Sequence, residues 1–329
     1  MVYYRVYCDS IVKNFTAIKR RVGVPIIAVV KANAYGVGVE KISKLLFELG
    51  CSFAVANEYE SRQILSFIPD ANILVLGNEL YDGYNEKASY SVSGFDEIDF
   101  LRGKAKRIAI KVNTGMNRFG CAPTSVESLV NYARLRGLTV SDIYTHFSSL
   151  DSASEQFELF NSATAFCGGR IARHCCCSNC MSLGSEYYLD GVRVGLALYG
   201  FGHNKLVPSV EIYLKVVNLL SLKKGDRVGY GDYYLKKDTK IAILSAGYAD
   251  GVPLSNNFAV LINGNICKVV NRPCMDSVAV DVTDVKCVVG DSAYVLGGGL
   301  LMSDAVNYCG LIPHQILTAF HTRVAIDYV

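Results

Sequence analysis

Apolar positions along this chain fall into two textures. Over roughly the first two hundred residues, short apolar runs alternate with stretches in which apolar side chains recur every three or four positions. The runs lie at residues 24–30, 52–56, 72–77, 90–93, 107–112, 140–145, 171–177 and 191–194. An apolar run without polar alternation reads as a strand buried on both faces, as parallel strands are. After the first run, Val39, Ile42, Leu46 and Leu49 recur at helical spacing, Leu45 widens the stripe, and Gly50 is placed to stop the helix. Eight strand-then-helix units predict an α/β fold of the (β/α)₈ TIM-barrel type rather than an open sheet.

Beyond about Gly200 the pattern changes. Residues 210–217, 239–244, 258–262, 278–282 and 291–296 alternate or run apolar, separated by turn signals such as Lys224-Gly-Asp226 and the Asn-Gly pair that ends at Gly264. Helical spacing returns only at residues 304–309 and 313–320. The chain therefore divides into a barrel domain, residues 1–212, and a mostly β domain, residues 213–329.

Length supports two domains, because 329 residues exceed what one core usually holds. At 51% hydrophobic and 19% charged the chain is globular, and a net charge of +3 with interspersed signs leaves no nucleic-acid footprint. No apolar run reaches membrane-span length, and residues 1–5 lack the pattern of a signal peptide, so a cytoplasmic protein is expected. Twelve cysteines are present, many in apolar segments where they act as small buried hydrophobes. The cluster His174-Cys-Cys-Cys-Ser-Asn-Cys180 holds one Cys-x-x-Cys pair without a second ligand pair at zinc spacing, so no metal is expected.

Lys31 stands out because it follows the first buried strand and precedes a glycine-containing loop and a helix. Ligands bind at that end of parallel α/β folds. Most strand-end lysines are simply solvated, yet a lysine at a buried strand end beside other cations has its pKa lowered, as carbonyl chemistry requires. Ser178 and the segment Arg193-Val-Gly-Leu-Ala197 stand at later strand ends, where glycine-rich backbone can hold a phosphate.

Six motifs then carry a resemblance. They are Val30-Lys-Ala-Asn-Ala-Tyr-Gly36, Lys111-Val-Asn-Thr-Gly-Met-Asn-Arg-Phe-Gly120 and Tyr144-Thr-His-Phe147, followed by Val192-Arg-Val-Gly-Leu-Ala-Leu-Tyr-Gly200, Gly247-Tyr-Ala-Asp-Gly251 and Arg272-Pro-Cys-Met-Asp276. In this order they resemble alanine racemase, a fold-type III pyridoxal-phosphate enzyme, nearly end to end. The resemblance implies a racemase (isomerase) that interconverts L- and D-alanine, in a homodimer whose active sites each draw on both chains, and a role in D-alanine supply for peptidoglycan. It implies that Lys31 holds pyridoxal 5′-phosphate covalently and acts as one base, with Tyr248 of the second chain as the other. Two bases on opposite faces of Cα can each take a proton and return it. By the same carry-over Arg193 faces the pyridine nitrogen with His174 behind it, His146 lies beside the cofactor, and Tyr35, Ser178, Gly195 and Leu196 hold the phosphate. Arg118 meets the cofactor's phenolic oxygen and the substrate carboxylate, Lys111 braces Arg118 in a carbamylated form, and Met275 and Asp276 belong to the substrate pocket.

The departures from the family pattern are also informative. Thr322 stands in Phe320-His-Thr-Arg-Val324 where the family usually has a tyrosine. The arginine usual after the Tyr-Ala-Asp-Gly turn is missing from Val252-Pro-Leu-Ser255. A smaller residue at 322 implies space beside the substrate side chain, and hence an alternative as a broader-specificity or serine racemase.

Overall fold

A computed structural model describes residues 1–77, 84–169, 171–203 and 205–329, and all counts are of those residues. By contact the chain forms two compact units, one of Ile11–Ala34 and Gly38–Val207, the other of Met1–Ser10, Tyr35–Val37 and Pro208–Val329.

The chain opens on β1 (Val2–Val6) and an amphipathic helix, Cys8–Val22, that buries Ile11, Phe15, Ile18 and Val22. Eight strands of the first unit follow: β2 (Ile26–Val29), β3 (Ser52–Val55), β4 (Ile73–Val75), β5 (Ala88–Val92), β6 (Arg107–Lys111), β7 (Thr139–Tyr144), β8 (Ala172–His174) and β9 (Val192–Val194). They pair in parallel in the order β8-β7-β6-β5-β4-β3-β2-β9. A single bridge between Cys177 and Arg193 nearly closes the ring. This is the (β/α)₈ arrangement read from the eight apolar runs. The strand interiors are buried because helices cover the outside of a parallel barrel, which is why no polar alternation marks them.

The second unit is built on β10 (Val210–Leu222), β11 (Thr239–Leu244), β12 (Ala259–Ile262), β13 (Asn265–Lys268), β14 (Val278–Asp281), β15 (Ser292–Leu296) and β16 (Val324–Tyr328). With β1 they form an eight-stranded mixed sheet in which β1 lies antiparallel to β10 and parallel to β16. β10 serves two sets of neighbours: its first half pairs β1 and β15, its second half β11, with a bulge in the β11 pairing between Val216 and Asn218. Asn263 and Gly264, both at positive φ (47 and 80), make the tight turn from β12 to β13, as their Asn-Gly chemistry predicts.

Two motifs of this unit meet. Tyr248 N–H donates to Cys274 O (2.9 Å) and Ala249 N–H to Met275 O (3.0 Å). The backbones approach so closely that a Cβ on Gly247 would stand 2.1 Å from Cys274 O and 2.5 Å from Met275 O. A substitution there forces the two segments apart. Gly247→Ala is expected to cost about 3 kcal/mol of stability. Gly94→Ala, with extended backbone at φ −156 and no atom within 4 Å of the added carbon, stays within about 1 kcal/mol. Thermal unfolding of the two variants checks the contrast.

Candidate active site

Each barrel strand hands its carboxyl end to the same mouth, and the polar residues of the motifs collect there. Lys31 follows β2, Lys111 ends β6, His146 lies two residues past β7, His174 ends β8, and Arg193 sits in β9. Arg118 is delivered by the loop after β6, which folds back on its own strand. Cys121 N–H donates to Lys111 O (2.9 Å) and Asn113 N–H to Cys121 O (2.9 Å). Asn113 Oδ1 accepts from the N–H groups of Gly115 (3.2 Å) and Asn117 (3.0 Å), stabilising the left-handed turn at Asn117. Gly120 is required at the return, since a Cβ there would stand 2.6 Å from Asn113 N.

The cations of this mouth feel one another. Burial pushes the Lys111 ammonium down to about 8, helped by Arg118, Arg193 and Lys31. Burial and Arg118 also lower Lys31, while Glu60 pulls its pKa back up. His146 is pushed down to about 3 by burial and by Arg193, Arg118 and both lysines, so it is neutral at physiological pH. Lys111 Nζ lies 5.1 Å from the centre of the Phe119 ring and 5.8 Å from that of Tyr144, which soften its burial.

Arg193 is the most restrained side chain of the group. Its Nη2 donates to Thr145 O (2.6 Å) and Cys175 O (3.3 Å) and lies 3.4 Å from His146 Nδ1. Its Nη1 donates to His174 O (3.1 Å) and to His174 Nδ1. Burial keeps His174 in its neutral form, as an accepting Nδ1 requires. The His174 ring stacks on Tyr144 with centroids 5.2 Å apart, and its Nε2 faces Asp142 Oδ1 at 3.7 Å, too long for a hydrogen bond. With both terminal nitrogens engaged, Nε of Arg193 is the donor that makes no hydrogen bond to a described residue.

Past β8, Ser178 Oγ accepts from the N–H groups of Gly195 (3.2 Å) and Ala197 (3.4 Å), gathering a hydroxyl and two amides at one point. His203 Nε2 lies 2.7 Å from Ser178 O, steadying this loop. The twelve cysteines are free thiols, and among the described residues no group of three or more His, Cys, Asp or Glu side chains could hold a metal ion. Cys177 and Cys180 stand with their sulfurs 3.3 Å apart.

The remaining motif residues belong to the other unit. Tyr35 is buried there with its ring 5.8 Å from His314. Tyr248 and Met275 are 41% and 50% exposed, side by side through the pairing of their segments. Arg323 donates to both oxygens of Asp250 (2.6 and 2.9 Å) and to Asp276 Oδ1 (2.6 Å), tying together the segments of Tyr248, Met275 and exposed Thr322. Sequence reasoning did not single out Arg323, Thr145, His203 or Glu60. Thr145, His203 and Glu60 act through backbone carbonyls or amides, for which no side-chain pattern exists; the Arg-Val pair at 323–324 was the one available signal for Arg323.

Lysine cannot reproduce the fork of Arg193, which serves three carbonyls and a histidine from two nitrogens. Arg193→Lys therefore leaves buried acceptors unpaired and costs about 2–4 kcal/mol, measurable as a lower denaturation midpoint.

Comparison with known proteins covers the whole chain. The alanine racemase N-terminal domain family model matches residues 6–202 and the C-terminal domain model residues 209–328. Alanine racemase 2 of Caldanaerobacter subterraneus subsp. tengcongensis is 33% identical, covering 98% of this chain and 93% of that protein. Alanine racemase of Clostridium perfringens strain SM101 is 34% identical, covering 98% and 94%. The solved alanine racemase from Bartonella henselae with covalently bound pyridoxal phosphate superposes with a TM-score of 0.87 at 28% identity, covering 100% of this chain and 99% of that one. Both halves of the fold and the order of the motifs along it lead to one assignment: the chain belongs to the alanine racemase family.

Proposed function

We propose that this chain is a pyridoxal-phosphate-dependent alanine racemase that uses Lys31 and the Tyr248 of a second copy as opposing bases. The observation that carries the proposal is the barrel mouth itself, where Lys31 with a lowered pKa stands among Arg118, Lys111 and Arg193. The residues suit the cofactor on three counts. The cationic mouth suits an anion, Ser178 with the amides after Gly195 offers a phosphate cradle, and Nε of Arg193 is a fixed donor for a ring nitrogen. Bound pyridoxal phosphate supplies an electron sink that acidifies the α-proton of an attached amino acid.

The chain's own residues do the rest. Lys31 Nζ carries the cofactor and moves the α-proton on one face, and Tyr248 Oη moves it on the other. Arg193 would donate to the ring nitrogen and could not take a proton from it, which would make the bound cofactor a moderate electron sink. His174 and the carbonyls of Thr145 and Cys175 hold that guanidinium in place, with neutral His146 beside it. Arg118 takes the substrate carboxylate. Lys111, at about 8, is neutral in about a tenth of molecules at pH 7 and so open to carbamylation, which would turn a repelling cation into a brace for Arg118. Tyr35, Ser178, Gly195 and Leu196 bind the phosphate, and Met275, with Asp276 held by Arg323, lines the substrate pocket.

The mostly β domain, residues 213–329, then works for the active site of its dimer partner. The exposure of Tyr248 and Met275 on the single chain supports this reading, because apolar and aromatic side chains in that state await cover. Among the described residues no helix is long and apolar enough to cross a membrane, and we place the enzyme in the cytoplasm.

Lys31→Ala is expected to lose the visible absorbance of bound pyridoxal phosphate together with racemisation. Tyr248→Phe is expected to retain the absorbance and lose about 100-fold or more in kcat in both directions. Full activity of Tyr248→Phe with L- and D-alanine would refute the two-base assignment. Thr322, small and exposed, supports a second reading in which serine is also accepted. The ratio of kcat/KM for L-alanine over L-serine is then expected within about a hundredfold, and a preference of many thousandfold would exclude it.

A further inference from the structure

The turn that carries Lys31 is unusual. Ala32, Asn33, Ala34 and Tyr35 all adopt the left-handed conformation, with φ of 53, 54, 53 and 61. Outside glycine each such residue costs about 1–2 kcal/mol, so a run of them needs external restraint. Part of the restraint comes from within: Ala34 N–H donates to Val30 O (2.9 Å), Gly38 N–H to Asn33 O (3.0 Å), and Val39 N–H to Asn33 Oδ1 (2.8 Å). The N–H at the head of the turn, that of Ala32, has a different partner. It donates to Glu60 Oε1 at 2.7 Å, and the other oxygen, Oε2, accepts from Ala56 N–H at 2.7 Å. One carboxylate thus clamps the backbone next to Lys31 to the backbone just past the neighbouring strand β3. Glu60 is itself fixed from the helix Glu58–Phe67, whose N-cap Asn57 accepts from the Glu60 N–H (3.0 Å).

We propose that Glu60 is the positioning residue of the Lys31 site, fixing the left-handed turn through two amides while setting a negative charge opposite the lysine's ammonium. This rests on the reading of Lys31 as the cofactor-holding base. The groups facing Lys31 are Arg118 and Lys111, which oppose its charge, neutral His146, and Glu60, which favours it. A carboxylate suits both tasks, since it accepts from two N–H groups and carries charge; an amide accepts at one atom only and turns a donor toward the second N–H.

The test measures Lys31 directly in the cofactor-free full chain. Trace acetylation with acetic anhydride across pH 6–10, read by mass spectrometry of the Lys31 peptide, gives the pH at which Lys31 becomes reactive. In Glu60→Gln that midpoint is expected about half a pH unit or more below the parent's, because the charge that favours the ammonium is gone. A merely structural role would lower stability and leave the midpoint in place, and an unshifted midpoint in folded Glu60→Gln overturns the proposal. Glu60→Asp keeps the charge but is too short to reach both amides. Its Lys31 midpoint is expected to stay near the parent's, while the rate of absorbance gain on adding pyridoxal phosphate falls several-fold; parent-like capture overturns the proposal. Persistence of the cofactor absorbance in Lys31→Ala would instead sink the assignment of Lys31, which separates the two failures.

Discussion

Positive charge gathered at one end of a parallel barrel is the constraint on which the barrel half of this molecule depends. Lys31, Lys111, Arg118 and Arg193 share that mouth, and guanidinium groups cannot shed their protons. The lysines and histidines yield instead. Lys111 is pushed down to about 8, Lys31 is lowered, and His146 is pushed down to about 3. The Arg193 guanidinium is surrounded by the carbonyls of Thr145, His174 and Cys175, to which it donates. A site arranged this way holds unrelieved repulsion, and an anion that binds there relieves it. Binding to the folded state alone then adds to stability. The barrel and an anionic cofactor therefore stabilise each other.

The β unit solves a different problem, which is to keep two exposed side chains in fixed register. Arg323 does so by joining Asp250 and Asp276, residues that come from separate motifs. Asp250 is fully buried and also accepts from the Gly247 N–H (3.0 Å), so it ends the turn that carries Tyr248. Burial raises its pKa, but Arg323 and the Gly247 amide more than offset this and leave it below the usual carboxylate range. Its contribution to stability is accordingly full above the unfolded carboxylate range and fades as pH falls through the folded value. At neutral pH the pair is intact, and Tyr248 and Met275 stay adjacent.

Much of this architecture was legible in the sequence because each barrel strand is an uninterrupted apolar run, and all eight runs became strands of one parallel sheet. The opening strand β1 was not legible as a partner of β10 and β16, since Met1-Val-Tyr-Tyr-Arg5 gives no local sign of pairing across two hundred residues. β13 and β16 escaped for a related reason: Asn265–Lys268 is largely exposed and Val324–Tyr328 only half-buried, so neither shows a clean two-residue period. The structure gathers the motif residues of the barrel at one mouth, as their strand-end positions suggest. What holds them is a matter of backbone carbonyls and amides, at Thr145, Cys175, Ala32 and Ala56, and such contacts leave no mark in side-chain pattern.

The left-handed turn after β2 shows how these constraints converge on a single side chain. A racemase base must take a proton in one direction and return it in the other, so its pKa has to lie near the working pH rather than far below it. Burial and Arg118 alone would carry Lys31 steadily downward, and a lysine driven too far would accept protons poorly. A counter-charge is needed that is close enough to act yet unable to capture the ammonium in a tight pair. A carboxylate already committed to two backbone amides meets that requirement, because each oxygen is held by an amide while its charge remains. In the proposed mechanism the strain of the turn and the charge of Glu60 are thus parts of one device. The backbone is held where the lysine is aimed, and the charge is held where the lysine remains basic.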